Sequence, residues 1–279
     1  MMRWLGNFLK ASSLSGRIGL GLVAFWLLLA LFGPLVAPYE VGAIVAEDVF
    51  APLSLAFPLG SDYLGRDMLS RVLYGTRYTV GLAFAAALAA SSLGTSLALF
   101  ATVSGRWIDE LMSRAMDTLI SIPSKIFALV MVAAFGSSVP LLLFTAALSY
   151  LPGAFRIARA LAVNLNTMEY VQVARVRGEG RIYIACVEIL PNMLHPILAD
   201  FGLRFMFVVL LLSGMSFLGL GVQPPDADLG SLVRENISGL GEGAPAVVMP
   251  ALAIAMLTIG VNLLIDSLPR AGGRNAGEP

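Results

Sequence analysis

In a chain that is 58% hydrophobic and 13% charged, the side chains able to do chemistry fall into a few groups. Asp62, Arg66, Asp67, Arg71 and Arg77 crowd into one short segment. Asp67 and Arg71 are four apart, as are Met68 and Val72, so each pair shares a face if the segment is helical. Read from residue types alone, this is an amphipathic helix on an outer surface, with solvated charges in ion pairs of small individual worth. Asp200 and Arg204 are also four apart, but inside an apolar run, where an unpaired charge is expensive. They are expected to face each other or water. The chemical alternative, a proton relay, needs a second carboxylate in another apolar run, and none is evident. Asp109, Glu110, Arg114 and Asp117 form a mixed-sign run that reads as interfacial rather than catalytic.

Other chemistries lack their residues. The single His195 and single Cys186 give no zinc or iron ligand cluster and no internal disulfide. His195, beside a proline turn, suits a capping or interfacial role, and Cys186 suits packing within a short helix. Met206, Met215, Met249 and Met256 are dispersed, which fits core packing better than a copper path. No G-x-x-x-x-G-K-[ST] loop is present to cradle phosphates, so this chain is not expected to hydrolyse ATP. Lys plus Arg equals Asp plus Glu at 18 each, so net charge gives no nucleic-acid footprint.

The elements that position these groups follow from hydropathy. A soluble domain carries roughly 25% charged residues; this composition points to an all-α polytopic membrane protein. A bilayer core of about 30 Å needs about 20 apolar helical residues. Six transmembrane helices are predicted, over residues 18–37, 79–103, about 119–135, a fourth from Val139 reaching Pro152, about 197–220 and about 244–264. Pro38 directly after the first run, with no A-x-A site, argues for an uncleaved span over a signal peptide. The second run is rich in Ala, Gly and Ser, which lets membrane helices approach closely. Lys125 can snorkel from the third to the interface. Pro250 inside the sixth is tolerated where neighbours satisfy the freed carbonyl.

Six spans put both termini on one side. With the N-terminus inside, fourteen of the eighteen basic residues lie on inner segments, and only Arg66, Arg71, Arg77 and Arg234 lie outside, as the positive-inside rule requires. This gives a cytoplasmic arm at 1–17 and a six-helix transmembrane domain at 18–268, with an outer loop at 38–78 and a cytoplasmic loop at about 165–192. A loose, glycine-rich cytoplasmic tail follows at 269–279.

That cytoplasmic loop contains "EYVQVARVRGEGRIYIACVEILPN". Glu169 to Arg177 is predicted helical, with Tyr170, Val173 and Ala174 on one face. Gly178 fits a left-handed C-cap. Arg181 to Leu190 is predicted as a second short helix, with Ile182, Ala185 and Ile189 on one side, interrupted or redirected by Pro191. The product is either an ordinary interfacial loop, with its arginines near lipid phosphates, or a knob for another protein's groove, centred on the small residues Ala174 and Gly178.

"YVQVARVRG" followed by "EILPN" resembles the EAA loop of ABC-importer permeases. Ala174, Gly178, Ile189, Leu190, Pro191 and Asn192 match; Gln172 replaces the usual Glu, Val173 the first Ala, and Arg177 a common apolar residue. Gln172 forgoes charge-assisted pairing with an ATPase. "LGSDYLGRDMLSRVLYGTRYTVGLA" resembles the signature before the second span in permeases of the dipeptide/oligopeptide/nickel family, through Gly60, Asp62, Gly65, Arg66, Asp67, Ser70, Arg71, Gly75 and Arg77. "SFLGLGVQPPDADLG" resembles that family's segment after the fifth span, with Leu229 where Trp is frequent. The long first loop resembles the C-type subunit.

The resemblance implies a type I ABC importer permease fold in the cell (inner) membrane. The chain would be half of a heterodimeric pore, completed by a homologous B-type permease. Two ABC ATPase subunits would carry the ATP and Mg, and an extracytoplasmic solute-binding protein would deliver cargo. The cargo implied is a di- or oligopeptide, with nickel or a metal chelate as rival; an ATP-independent carrier or channel is the reading from another class. This chain would bind no cofactor and no metal. The coupling loop so implied comprises Glu169, Tyr170, Gln172, Val173, Ala174, Arg175, Gly178, Leu190, Pro191 and Asn192. The segment from Asp62 to Arg77 would lock a gate loop or dock a binding protein. Gly178→Pro, or a bulky charge at Ala174, is expected to abolish coupling while leaving the fold largely intact.

Overall fold

The computed structural model describes residues 13–273. The arm at 1–12 and the tail at 274–279 lie outside the described residues. The elements are α1 (Leu14–Val36), α2 (Met68–Ser104), α3 (Arg106–Ile120), α4 (Ser124–Phe135), α5 (Val139–Asn166), α6 (Glu169–Val176), α7 (Arg181–Tyr183), a π turn (Ile184–Ile189), α8 (Leu190–Phe217), α9 (Leu229–Glu235), a 3-10 turn (Ile237–Glu242) and α10 (Pro245–Gly273). Five helical stretches are long and apolar enough to cross a membrane, or six if the bent pair α3 and α4 forms one span.

The central seam joins α2 and α5. Ala83, Ala87, Ala90, Gly94, Ala98 and Ala101 recur at helical spacing along α2 and are buried. They meet Ala147, Leu151, Ala154, Ala158 and Ala162 of α5. Lipid tails are as apolar as leucine, so such helices gain by close approach and van der Waals contact. Gly94 marks the tightest point: a Cβ there would sit 2.6 Å from the Ala154 Cβ and 2.9 Å from the Phe155 nitrogen. A second glycine crossing joins α1 to α10, where a Cβ on Gly19 would lie 2.5 Å from the Leu264 nitrogen and one on Gly260 would lie 2.7 Å from the Leu22 Cβ.

Several predicted boundaries move, each for a local reason. The second span starts at Met68, because Asp67 caps it by accepting from the Ser70 amide at 2.8 Å. The segment predicted as a surface helix is thus the first turns of a buried one. The third span is broken rather than continuous over 119–135: α3 and α4 meet at 79° across Ser121–Pro123. Pro123 drives Ile122 out of helical geometry. The twelve residues of α4 reach only about 18 Å. The fourth span passes through Pro152 to Asn166. The fifth reaches back to Arg181, because the π turn absorbs Pro191: the Leu190 amide bonds the Ala185 carbonyl five residues back, and the Asn192 side chain donates to the Glu188 carbonyl at 2.7 Å. Pro191 therefore neither ends nor redirects the helix. The sixth runs to Gly273, so the first residues of the tail predicted as loose are helical.

Gly94→Val should force the α2–α5 seam apart, at a cost of about 1–3 kcal/mol for overpacking. Thermal unfolding of the detergent-solubilised protein reads it; a Tm equal to wild type contradicts this seam.

Candidate functional site

One end of the bundle, where α1 ends and α2 begins, holds a buried charge cluster. Asp62, Arg66, Asp67 and Arg71 are all buried, Asp62 completely. The solvated-charge reading of this segment is therefore corrected. Asp62 Oδ1 accepts from the amides of Leu64 at 2.8 Å and Arg66 at 2.9 Å. Its Oδ2 accepts from Arg66 Nε at 2.6 Å and Arg71 Nη1 at 2.7 Å. Glu235 Oε2 accepts from Arg71 Nη1 at 2.8 Å and Arg66 Nη2 at 3.2 Å. Asp67 does not pair with Arg71; its carboxylate caps α2 and accepts from the Ser70 hydroxyl at 2.6 Å. Burial raises the Asp62 carboxyl, but the amide and guanidinium donors outweigh it and hold it below the usual carboxylate range.

Glycines shape the loop that delivers Asp62. Gly60 and Gly65 both have φ of +76°. A Cβ would also meet the Ala51 carbonyl at 2.6 Å from Gly60 and the Ala46 carbonyl at 2.5 Å from Gly65. Gly75 lets α9 approach α2: a Cβ added there would lie 3.2 Å from Leu232 Cδ1. The Leu229 amide then donates to Thr79 Oγ1 at 2.9 Å, and the Tyr63 amide to Asn236 Oδ1 at 3.1 Å. Arg77 alone of the signature residues stays outside this assembly and is exposed. Sequence reasoning missed Glu235 and Asn236, which lie more than 160 residues from their partners. One signal was present: Asp228 and Ser231 form a capping box that opens α9.

The opposite end carries the helical corner. Val171 and Ala174 are completely buried in a cluster with Ala98, Phe155, Ala162, Ile184 and Ile189. This reverses part of the predicted face: Ala174 points into the protein, while Tyr170, Val173 and Val176 are exposed. A bulky charge at Ala174 would therefore strike the fold itself. Ile182 is exposed whereas Ala185 and Ile189 are buried, since the π turn shifts the helical register. Glu169, Pro191 and Asn192 are exposed and Leu190 is half-buried. Cys186 is exposed, not packed.

Gly178 has φ of +82° and closes the corner. The Glu179 amide bonds the Ala174 carbonyl at 3.1 Å, the long bond of a Schellman cap. No atom lies within 4 Å of a Cβ added at Gly178, so conformation rather than space demands glycine. Gln172 Nε2 donates to the Asn166 carbonyl at 3.2 Å, and Arg175 Nη2 to Asn166 Oδ1 at 2.6 Å. A glutamate at 172 has no proton to give that carbonyl. Arg177 reaches Glu188 at 3.6 Å and so bridges the corner. Two of the three departures from the EAA pattern, Gln172 and Arg177, thus make contacts inside the chain.

Between the two ends, Arg204 pairs with Asp200, Nε to Oδ2 at 2.6 Å and Nη2 to Oδ1 at 3.0 Å, and Nη1 donates to the Tyr150 carbonyl at 2.9 Å. Gly153 leaves room for the guanidinium, 2.9 Å from where its Cβ would be. The pair faces inward as expected of intramembrane charges. At the end that carries the helical corner, Arg159 forks onto Asp109 at 2.5 Å and ties α5 to α3. Among the described residues, no three His, Cys, Asp or Glu side chains gather as a metal site requires.

A family model described as binding-protein-dependent transport system inner membrane component matches residues 90–271. The chain is 30% identical to the dipeptide transport system permease protein DppC of Alkalihalophilus pseudofirmus, over 90% of this chain and 83% of that one. It is 31% identical to the di/tripeptide transport system permease protein DppC of Pseudomonas aeruginosa, over 95% and 88%. It is 32% identical to the glutathione transport system permease protein GsiD of Pectobacterium atrosepticum, over 77% and 71%.

Arg71→Met leaves Asp62 and Glu235 with Arg66 alone of their two shared cations, and breaking such a buried pair costs about 3–5 kcal/mol. A large drop in Tm is expected; an unchanged Tm would dispose of the cluster as a lock. Asp62 titrates lower folded than unfolded. Its contribution is therefore complete above the unfolded value of about 3.9 and is lost as pH falls through the folded value. Asp62→Asn should remove this acid-side component from a plot of Tm against pH; persistence of the full acid limb in the variant argues against it.

Proposed function

The chain belongs to the binding-protein-dependent transport system inner membrane component family, and from that premise we propose that it forms half of a heterodimeric pathway for peptides in an ATP-driven importer. The other half is a homologous B-type permease. Two ATPase subunits bind ATP and Mg on the cytoplasmic side, where both termini of this chain also lie. An extracytoplasmic binding protein delivers cargo to the opposite face. The relatives are named for dipeptides, di/tripeptides and glutathione, which favours a peptide over nickel.

The observation that carries this reading is the two-faced corner at α6. Its exposed side presents Tyr170, Val173 and Val176, an apolar surface at the end of a bundle that needs a protein cover. Its buried side is keyed by Val171 and Ala174 into the bases of α2 and α5. A force applied to the exposed side therefore reaches the spanning helices without passing through a loose loop. Closure of the ATPase pair moves α6 as a lever and turns the pathway outward; hydrolysis resets it. The lever requires contacts that differ between the two states.

Val173→Glu places a charge on the exposed side without entering the core. Reconstituted with its partners, binding-protein-stimulated ATP hydrolysis and peptide uptake should fall to the unstimulated level while Tm stays near wild type. Gly178→Pro, which can neither hold φ of +82° nor donate to the Arg175 carbonyl, should abolish stimulation together with a lowered Tm. Full stimulation in a stable, assembled Val173→Glu complex would sink the lever. Ala174→Glu is expected to lower Tm as well, which separates a docking surface from a structural one.

A further inference from the structure

The outside of the bundle carries a cation that the transport mechanism leaves unused. Arg77 lines a groove of about 580 Å³ between α1 and α2. Leu27, Leu31 and Leu35 form one wall and Phe84 part of the other, all exposed. Arg77 is the single charged residue of that lining. Unlike Arg66 and Arg71, it makes no hydrogen bond or ion pair with any described residue. Gly81, one turn deeper, opens the floor: a Cβ there meets nothing within 4 Å.

Its depth follows from the α1–α2 contact. Gly33 abuts Leu73, whose carbonyl lies 3.2 Å from the position of a Gly33 Cβ. Arg77 sits one turn inward of Leu73, and α1 ends three residues beyond Gly33. Arg77 therefore starts about 10 Å inside that end of α1. An unpaired guanidinium at this depth, on an apolar surface, is expensive unless it snorkels to an anion. Phosphate is the anion at the headgroup level toward which the side chain extends, and a guanidinium fork matches its oxygens. Once the guanidinium extends outward along α2, Leu31 and Leu27 lie inward of it, as an acyl chain lies below a headgroup, while Leu35 stands at the level of the cation.

We infer that this groove is a phospholipid site, with the lipid phosphate on Arg77 and one acyl chain running inward past Leu31 and Leu27 over Gly81. The site itself is independent of the cargo; its assignment to the outer leaflet rests on the topology proposed above. The test is native mass spectrometry of the chain, extracted with its associated subunits, stripped of lipid and titrated with dioleoyl phosphatidylglycerol or with dioleoylglycerol, which lacks the phosphate. Wild type should retain phosphatidylglycerol more tightly than dioleoylglycerol. Arg77→Gln should weaken only phosphatidylglycerol, by about fivefold for one interfacial cation, and Arg77→Lys should restore much of it. Gly81→Leu, which the open space accommodates, should weaken both lipids by filling the groove. Equal phosphatidylglycerol retention by wild type, Arg77→Gln and Gly81→Leu overturns the site. So does a photocrosslinker at position 77 that captures a permease partner in native membranes, since the groove is then covered by protein. Peptide uptake measured in parallel separates failure of this site from failure of the importer reading.

Discussion

Close approach of α2 and α5 is the constraint on which the other contacts depend. Both helices line their common face with alanine and glycine, and Gly94 brings the α2 backbone against Ala154 and Phe155. In a bilayer there is no hydrophobic gain from hiding these faces from lipid, so contact density must hold them. The seam includes Ala147 to Ala162 of α5, and each functional end is built on it. At one end, Gly75 and Thr79 receive α9. At the other, Ala98, Phe155 and Ala162 form the socket for Val171 and Ala174.

The two ends solve different problems. One end joins segments distant in sequence with charge, through Asp62, Arg66, Arg71 and Glu235. Such a buried network gains little over an apolar core of the same volume, but it tolerates few alternative geometries. The other end uses shape instead: a buried alanine, a left-handed glycine and exposed apolar residues. Arg175 and Gln172 fix the start of α6 to Asn166, and Arg177 ties its end to Glu188. The corner is thereby held from both sides before any partner arrives.

Much of this was legible in the residue order. Composition and apolar run lengths predicted a helical membrane protein, and the EAA-like spacing located the corner and its glycine. The Asp200–Arg204 pair followed from spacing and cost alone. What the sequence hid were relations that no local pattern encodes. The outer charges look solvated until Glu235 and Asn236 arrive from the far end of the chain. The inner face of α6 reads ambiguously because Val171 and Val173 are equally apolar, and only the position of α5 selects Val171 for burial. The break at Pro123 was visible as a proline, but hydropathy averaged across it.

The π turn at Ile184–Ile189 has a consequence for how this family of surfaces can diverge. It inserts one residue into the helical repeat, so side chains before it are rotated about 100° relative to those after it. Ile182 and Tyr183 thus belong to the solvent-facing corner, although the same helix carries buried Met193 and Asp200 a few turns on. The offset separates two selective pressures within one continuous rod: substitutions before the turn tune what the corner touches, and substitutions after it tune what the bundle contains. Losing that one residue would merge the two registers and turn side chains on one side of the turn about 100° away from their present surroundings.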